Sequence, residues 1–224
     1  MKIINSLLLL FGIFVFVQSA IPNEYLYLRQ MGPTDCLSHK CSIPSWYRQF
    51  SLHVFQNRND TYIPTFCDND YPFAIGEIES LVPEMFLEWP DFWNWDEPQA
   101  FWAQIWAKHG TCALPIFKNE YNFFEAGLVL KTAMDVEKMM IDTAIVPSNT
   151  TSYTYDRFDD AIISQTLKKP AIHCVKWGDK TALHSFNFCY DLNLNLIDCS
   201  DSVREQEAAA CTNKDEMYFI QLRQ

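Results

Sequence analysis

Eight cysteines constrain this chain more than any other feature. They stand at 36, 41, 67, 112, 174, 189, 199 and 211, and all follow an apolar leader. The leader has a basic start at Lys2, an apolar run from Leu7 to Val17, and small residues in Val17-Gln18-Ser19-Ala20. That pattern predicts a signal peptide over 1–19, cleaved near 19/20. An even number of cysteines in an exported chain argues for disulfides. A zinc site would need tight Cys-x-x-Cys or Cys/His pairs, and none is present. Counting alone leaves 105 ways to pair eight cysteines.

Residues 20–224 fit one domain. No linker, repeat or low-complexity tract divides them, and no later segment reaches the roughly 18 apolar residues of a membrane span. The expectation is a protein free of the membrane after cleavage, in the extracellular space or the lumen of a lysosome or vacuole. Two sequons, at Asn59 and Asn149, offer glycosylation sites in polar, turn-like stretches. Without Lys2 the chain carries about −12. Such a balance excludes a generic nucleic-acid binder with a basic stripe. It leaves room for an enzyme that grips one phosphate in a cleft.

The hydrophobic pattern changes period along the chain. Alternation predicts strands at 24–31 and 49–55. In the second, it puts Ser51, His53 and Phe55 on one face and Phe50, Leu52 and Val54 on the other. Helical periodicity follows at 74–88, where Pro83 interrupts, and at 99–109, which opens after Glu97-Pro98 and stops at Gly110. Further helices are expected at 119–134, 135–142 and 156–167. Strands return at 171–177, 181–191, 194–199 and 216–222. Helices in the middle and strands at both ends predict an α+β class with a mainly antiparallel central sheet and helices packed around it.

Two segments carry chemistry. Phe50-Ser-Leu-His-Val-Phe-Gln-Asn57 sets a histidine in a strand. Phe101-Trp-Ala-Gln-Ile-Trp-Ala-Lys-His-Gly-Thr-Cys112 sets Lys108 and His109 at a helix end. Histidine suits proton transfer because its ordinary pKa is about 6.5. His39, His173 and His184 read as structural. Trp102 and Trp106, four apart, read as core. The stretch Asp91-Phe-Trp-Asn-Trp-Asp96 reads as a packed loop.

These two segments resemble the active-site motifs of the ribonuclease T2 family, Phe-Thr-Ile-His-Gly-Leu-Trp-Pro and roughly Phe-Trp-x-His-Glu-Trp-x-Lys-His-Gly-Thr-Cys. The likeness extends over nearly the whole chain after the leader. It implies the family fold and disulfides Cys36–Cys41, Cys67–Cys112, Cys174–Cys211 and Cys189–Cys199. It also implies endonucleolytic cleavage of single-stranded RNA by 2′-hydroxyl attack, giving 2′,3′-cyclic phosphate ends with no metal or cofactor. DNA, which lacks that hydroxyl, is excluded. Carried onto this chain, His53 and His109 are the acid–base pair, with His109 the base. Lys108 neutralises phosphorane charge, and Phe55, Gln56 and Gln104 contact substrate. A monomer is expected.

The departures are specific. Ile105 occupies the family's glutamate position, Gln104 a histidine position, Val54 a glycine position, and Gln56-Asn57 a Trp-Pro pair. Loss of one preorganised stabiliser costs about 10²–10³-fold in rate. The expectation is therefore an attenuated ribonuclease. The alternative is an inactive T2-like domain that binds RNA, glycan or protein.

Overall fold

The computed structural model describes residues 23–220, with 38, 48 and 49 excepted. The expected signal segment lies outside the described residues. The expected α+β architecture is present. Its centre is β5 (Lys180–Tyr190), an eleven-residue strand buried along nearly its whole length. β1 (Tyr25–Met31) and β4 (Ala171–Trp177) pair with it antiparallel, and β2 (Ser51–Arg58) pairs antiparallel with β1. Three short pieces complete the sheet: β3 (Ser152–Tyr153), β6 (Leu196–Ile197) and β7 (Met217–Tyr218). Of these, β7 runs parallel to β5.

Helices pack on both faces of this sheet. A 3₁₀ segment at Ile75–Leu81 leads into α1 (Val82–Glu88), with Pro83 in the first turn, where its missing N–H costs nothing. Pro83 thus marks the join between two helical pieces. α2 (Gln99–Ile105) follows, and the chain then winds into one turn of π-helix, Trp106–Gly110. The short α3 (Leu114–Phe117) precedes α4 (Glu120–Thr132), which Asn119 caps by accepting from the N–H of Asn122. α5 (Val136–Asp142) and α6 (Tyr155–Thr166) are capped in the same way by Asp135 and Thr154. α7 (Asp201–Ala208), with Ser200 as its cap, was not expected from periodicity. Its apolar stripe is thin, with only Val203 and Ala208 buried.

Leu52 and Phe55 of β2 join the main core, where Phe55 packs on Phe117 and Phe123. Trp106, Phe123 and Phe124 interlock beside them. All eight cysteines are paired, as Cys36–Cys41, Cys67–Cys112, Cys174–Cys211 and Cys189–Cys199. Among the described residues no helix is long and apolar enough to cross a membrane.

Candidate active site

The π turn decides where Lys108 and His109 point. Such turns are rare and favour functional sites. The winding brings residue 110 onto the Trp106 ring: a Cβ there would sit 2.1 Å from Trp106 Cε3. Glycine is required at this position by close approach, since its φ of −62° suits any residue. Trp106 is itself fixed by its Nε1, which donates to the carbonyl of Tyr71 at 2.8 Å. Two links fasten the loop that carries Phe66 and Cys67 to the same turn. The N–H of Phe66 donates to the carbonyl of Lys108 at 3.0 Å, and Cys67 is bonded to Cys112.

A cleft of about 310 Å³ opens beside this turn. Lys108 and His109 line it from the helix side, and Ile63 and Thr65 from the loop. Val54, Gln56 and Arg58 line it from β2, and Tyr27 and Arg29 from β1. Glu207 reaches it from α7. His109 is only 5% exposed, and its Nδ1 has no hydrogen-bond partner. Burial, helped by the Lys108 charge, pushes His109 down to about 4. That is the direction a missing carboxylate partner implies.

His53 stands at a departure from simple alternation. The β1–β2 register pairs Arg29 with Val54 but Gln30 with Leu52, so His53 is the extra residue of a bulge. A bulge re-aims side chains. Leu52 and Phe55 both face the core, while Val54, Gln56 and Arg58 face the cleft. The expected shared face for Ser51, His53 and Phe55 is thereby corrected. His53 is half-buried and is not among the residues that line the cleft. Its ring stacks on Phe101 at 5.5 Å and meets the edge of Trp93 at 5.8 Å. Burial first, then the positive charge of Arg29, pushes it down to about 4, and the charge of His109 is felt there as well.

The other expected contacts divide. Gln56 lines the cleft. Phe55 does not: it is fully buried in the aromatic core, because the bulge turns it inward. Gln104 is exposed and outside the cleft lining, on the solvent side of α2. Ile105 is 6% exposed and belongs to the main core. Trp102 and Trp106 are core residues, as expected.

Several site residues escaped sequence reasoning. Glu207 accepts from Arg29 at 2.7 Å and from the Tyr27 hydroxyl at 2.6 Å, and lies 3.0 Å from His173 Nδ1. Burial alone would raise its carboxyl, but His173, Arg29 and Tyr27 together hold it at about 2. The alternation of Tyr25, Tyr27 and Arg29 against Leu26 and Leu28 was visible, but nothing showed that its polar face borders the cleft. Trp93, 42% exposed, was hidden in a stretch read only as packing. Of the remaining histidines, His184 lies 3.3 Å from Asp35, and burial lowers it while Asp35 opposes.

Comparisons with known proteins bear on the family and the fold. A model of the Ribonuclease T2 family matches residues 23–199. Ribonuclease Oy of Magallana gigas is 28% identical over 205 residues, covering 88% of this chain and 95% of that one. Ribonuclease T2 of Danio rerio is 33% identical over 141 residues, 61% of this chain and 58% of its own length. Among solved structures, Japanese pear S3-RNase overlays with a TM-score of 0.75 at 22% identity, over 88% of this chain and 100% of that one. A family description spanning most of the chain, together with a fold that an S-RNase matches along its entire length, makes this protein a member of the ribonuclease T2 family.

Proposed function

We propose that this chain is an attenuated, metal-independent endoribonuclease acting on single-stranded RNA. The carrying observation is His109, a 95%-buried imidazole that lines a cleft beside Lys108 with its Nδ1 unpaired. Family membership and ribonuclease relatives support an RNase function for the fold. In this reading, neutral His109 accepts the proton of the ribose 2′-hydroxyl. That oxygen attacks the adjacent phosphorus as the P–O5′ bond breaks, and His53 protonates the leaving 5′-oxygen. The product is a 2′,3′-cyclic phosphate. Lys108 offsets charge on the phosphorane. The reaction belongs outside the cell or in a lysosomal or vacuolar lumen, on a monomer carrying glycans at Asn59 and Asn149.

Attenuation follows from position 105. An isoleucine in the core supplies no group to the phosphate, and Gln104 faces solvent. The same observation favours the second reading, an inactive domain that keeps the fold for binding. Incubation of the folded protein with total RNA and with a dinucleotide, between pH 4 and 8 and with EDTA present, separates the two. Slow cleavage with 2′,3′-cyclic ends that disappears in His109→Ala supports the enzyme. A rate equal to that of His109→Ala at every pH overturns it.

A further inference from the structure

The helical motif brings one cation, Lys108, to the cleft, whereas positions 104 and 105 carry an uncharged amide and an isoleucine that lie outside its lining. The sheet brings more. β2 continues three residues beyond Phe55, and the bulge at His53 sets its polar side toward the cleft, so Arg58 lines the same space as His109. Arg58 is only 5% exposed. Its Nε donates to the carbonyl of Asn59 at 3.0 Å, and its Cζ lies 5.1 Å from the centre of the Tyr27 ring. The Tyr25 hydroxyl, which interacts with Asp60 as well, also lies against the guanidinium. Among the described residues no carboxylate lies within 4.0 Å of it.

Arg29, its neighbour in the cleft, differs. Its charge is met by Glu207 at 2.7 Å, and its Nε donates to Asn187. With that pair cancelled, Lys108 and Arg58 leave the cleft net positive inside a protein whose formal charge is −11. A secluded guanidinium without a counter-ion is costly, and its forked donors match phosphate oxygens two at a time. His109 lines the same cleft.

We propose that Arg58 is a phosphate-binding residue: with Lys108 it grips the phosphate held beside His109, and it supplies from the strand the charge that positions 104 and 105 no longer supply from the helix. The inference rests on the phosphate-handling part of the ribonuclease reading. It requires an anion in the cleft but not turnover.

The probes are 3′-AMP and, as a control without phosphate, adenosine. Binding to the full chain is followed by calorimetry at several salt concentrations for the natural protein, Arg58→Gln and Arg58→Lys. The expected result is a 10- to 100-fold loss of 3′-AMP affinity in Arg58→Gln. Arg58→Lys should recover part of that loss, and adenosine binding should not change. On a short single-stranded RNA, the slope of log affinity against log salt should shrink by about 0.7 in Arg58→Gln. Unchanged 3′-AMP affinity in folded Arg58→Gln overturns the proposal, as does equal loss of adenosine and 3′-AMP. If Arg58→Gln does not fold, Arg58→Lys decides: affinity equal to the natural protein's overturns the role of the forked donors. If the natural protein binds 3′-AMP through Arg58 but cleaves no RNA, the ribonuclease reading fails and this one stands. If it binds no 3′-AMP at all, this one fails.

Discussion

The His53 ring lies 22° from parallel to that of Phe101, with centroids 5.5 Å apart, so an apolar helix side chain shields the imidazole at the bulge. Shielding of this kind disfavours the imidazolium. Phe101→Ala should raise the His53 pKa from about 4 by one unit or more toward 6.5, read from the ring proton shifts in an NMR titration.

With both histidines near 4, the protonated acid becomes scarce at neutral pH. The rate of RNA cleavage should peak close to pH 4–5 and fall about tenfold for each pH unit above that. The two limbs belong to the coupled pair and not to either ring alone. A profile that is flat from pH 5 to 8 would contradict this.

Position 105 sits in the core, so a carboxylate there has two opposite effects. Ile105→Glu should lower the melting temperature, because it buries a charge. It should also raise kcat at least tenfold, by restoring a polar group one turn from His109. Thermal melts and single-turnover assays on the same sample separate the two effects.

Gly110→Ala places a methyl in the Trp106 ring, which packs on Phe123 and Phe124. Relief requires moving the ring or unwinding the π turn, and either shifts His109. The expected cost is roughly 2 kcal/mol or more in denaturant unfolding, within the range for overpacking. Activity should fall further than stability accounts for.

Two buried groups set opposing slopes in stability against pH. His109, lowered to about 4 from 6.5, contributes stability that is complete above pH 6.5 and lost as pH falls through 4, about 3 kcal/mol at most. Glu120, 6% exposed and accepting from the N–H of Ala74, is raised by burial to about 7. Its contribution is complete below pH 4.5 and lost as pH rises through 7. Glu120→Gln should therefore stabilise the protein relative to the natural chain at pH 8 but not at pH 4. Urea unfolding at both pH values measures the difference.

The helices with strong periodicity and good caps, α4 to α6, were legible within a residue or two, as were β1, β4 and β5. Physical reasons account for the failures. The bulge at His53 depends on cross-strand register, which a single strand does not reveal. The π turn is a local change of winding inside a segment whose residues carry ordinary helical periodicity. α7 buries too few apolar residues to leave a periodic trace. Of the cleft residues, Gln56, Lys108 and His109 lie inside the local motifs, whereas Arg29, Arg58 and Glu207 come from elements far apart in sequence, which only the fold brings together.

α7 begins two residues after the family match ends at 199, yet its Glu207 meets the guanidinium of Arg29 at the rim of the cleft. Cys211, just beyond it, anchors this tail to Cys174 of β4. A version of the chain trimmed to the matched boundary would keep both histidine motifs and lose one wall. It would also uncover an arginine, leaving a more cationic and less selective mouth. The tail therefore acts as a charge governor on the cleft.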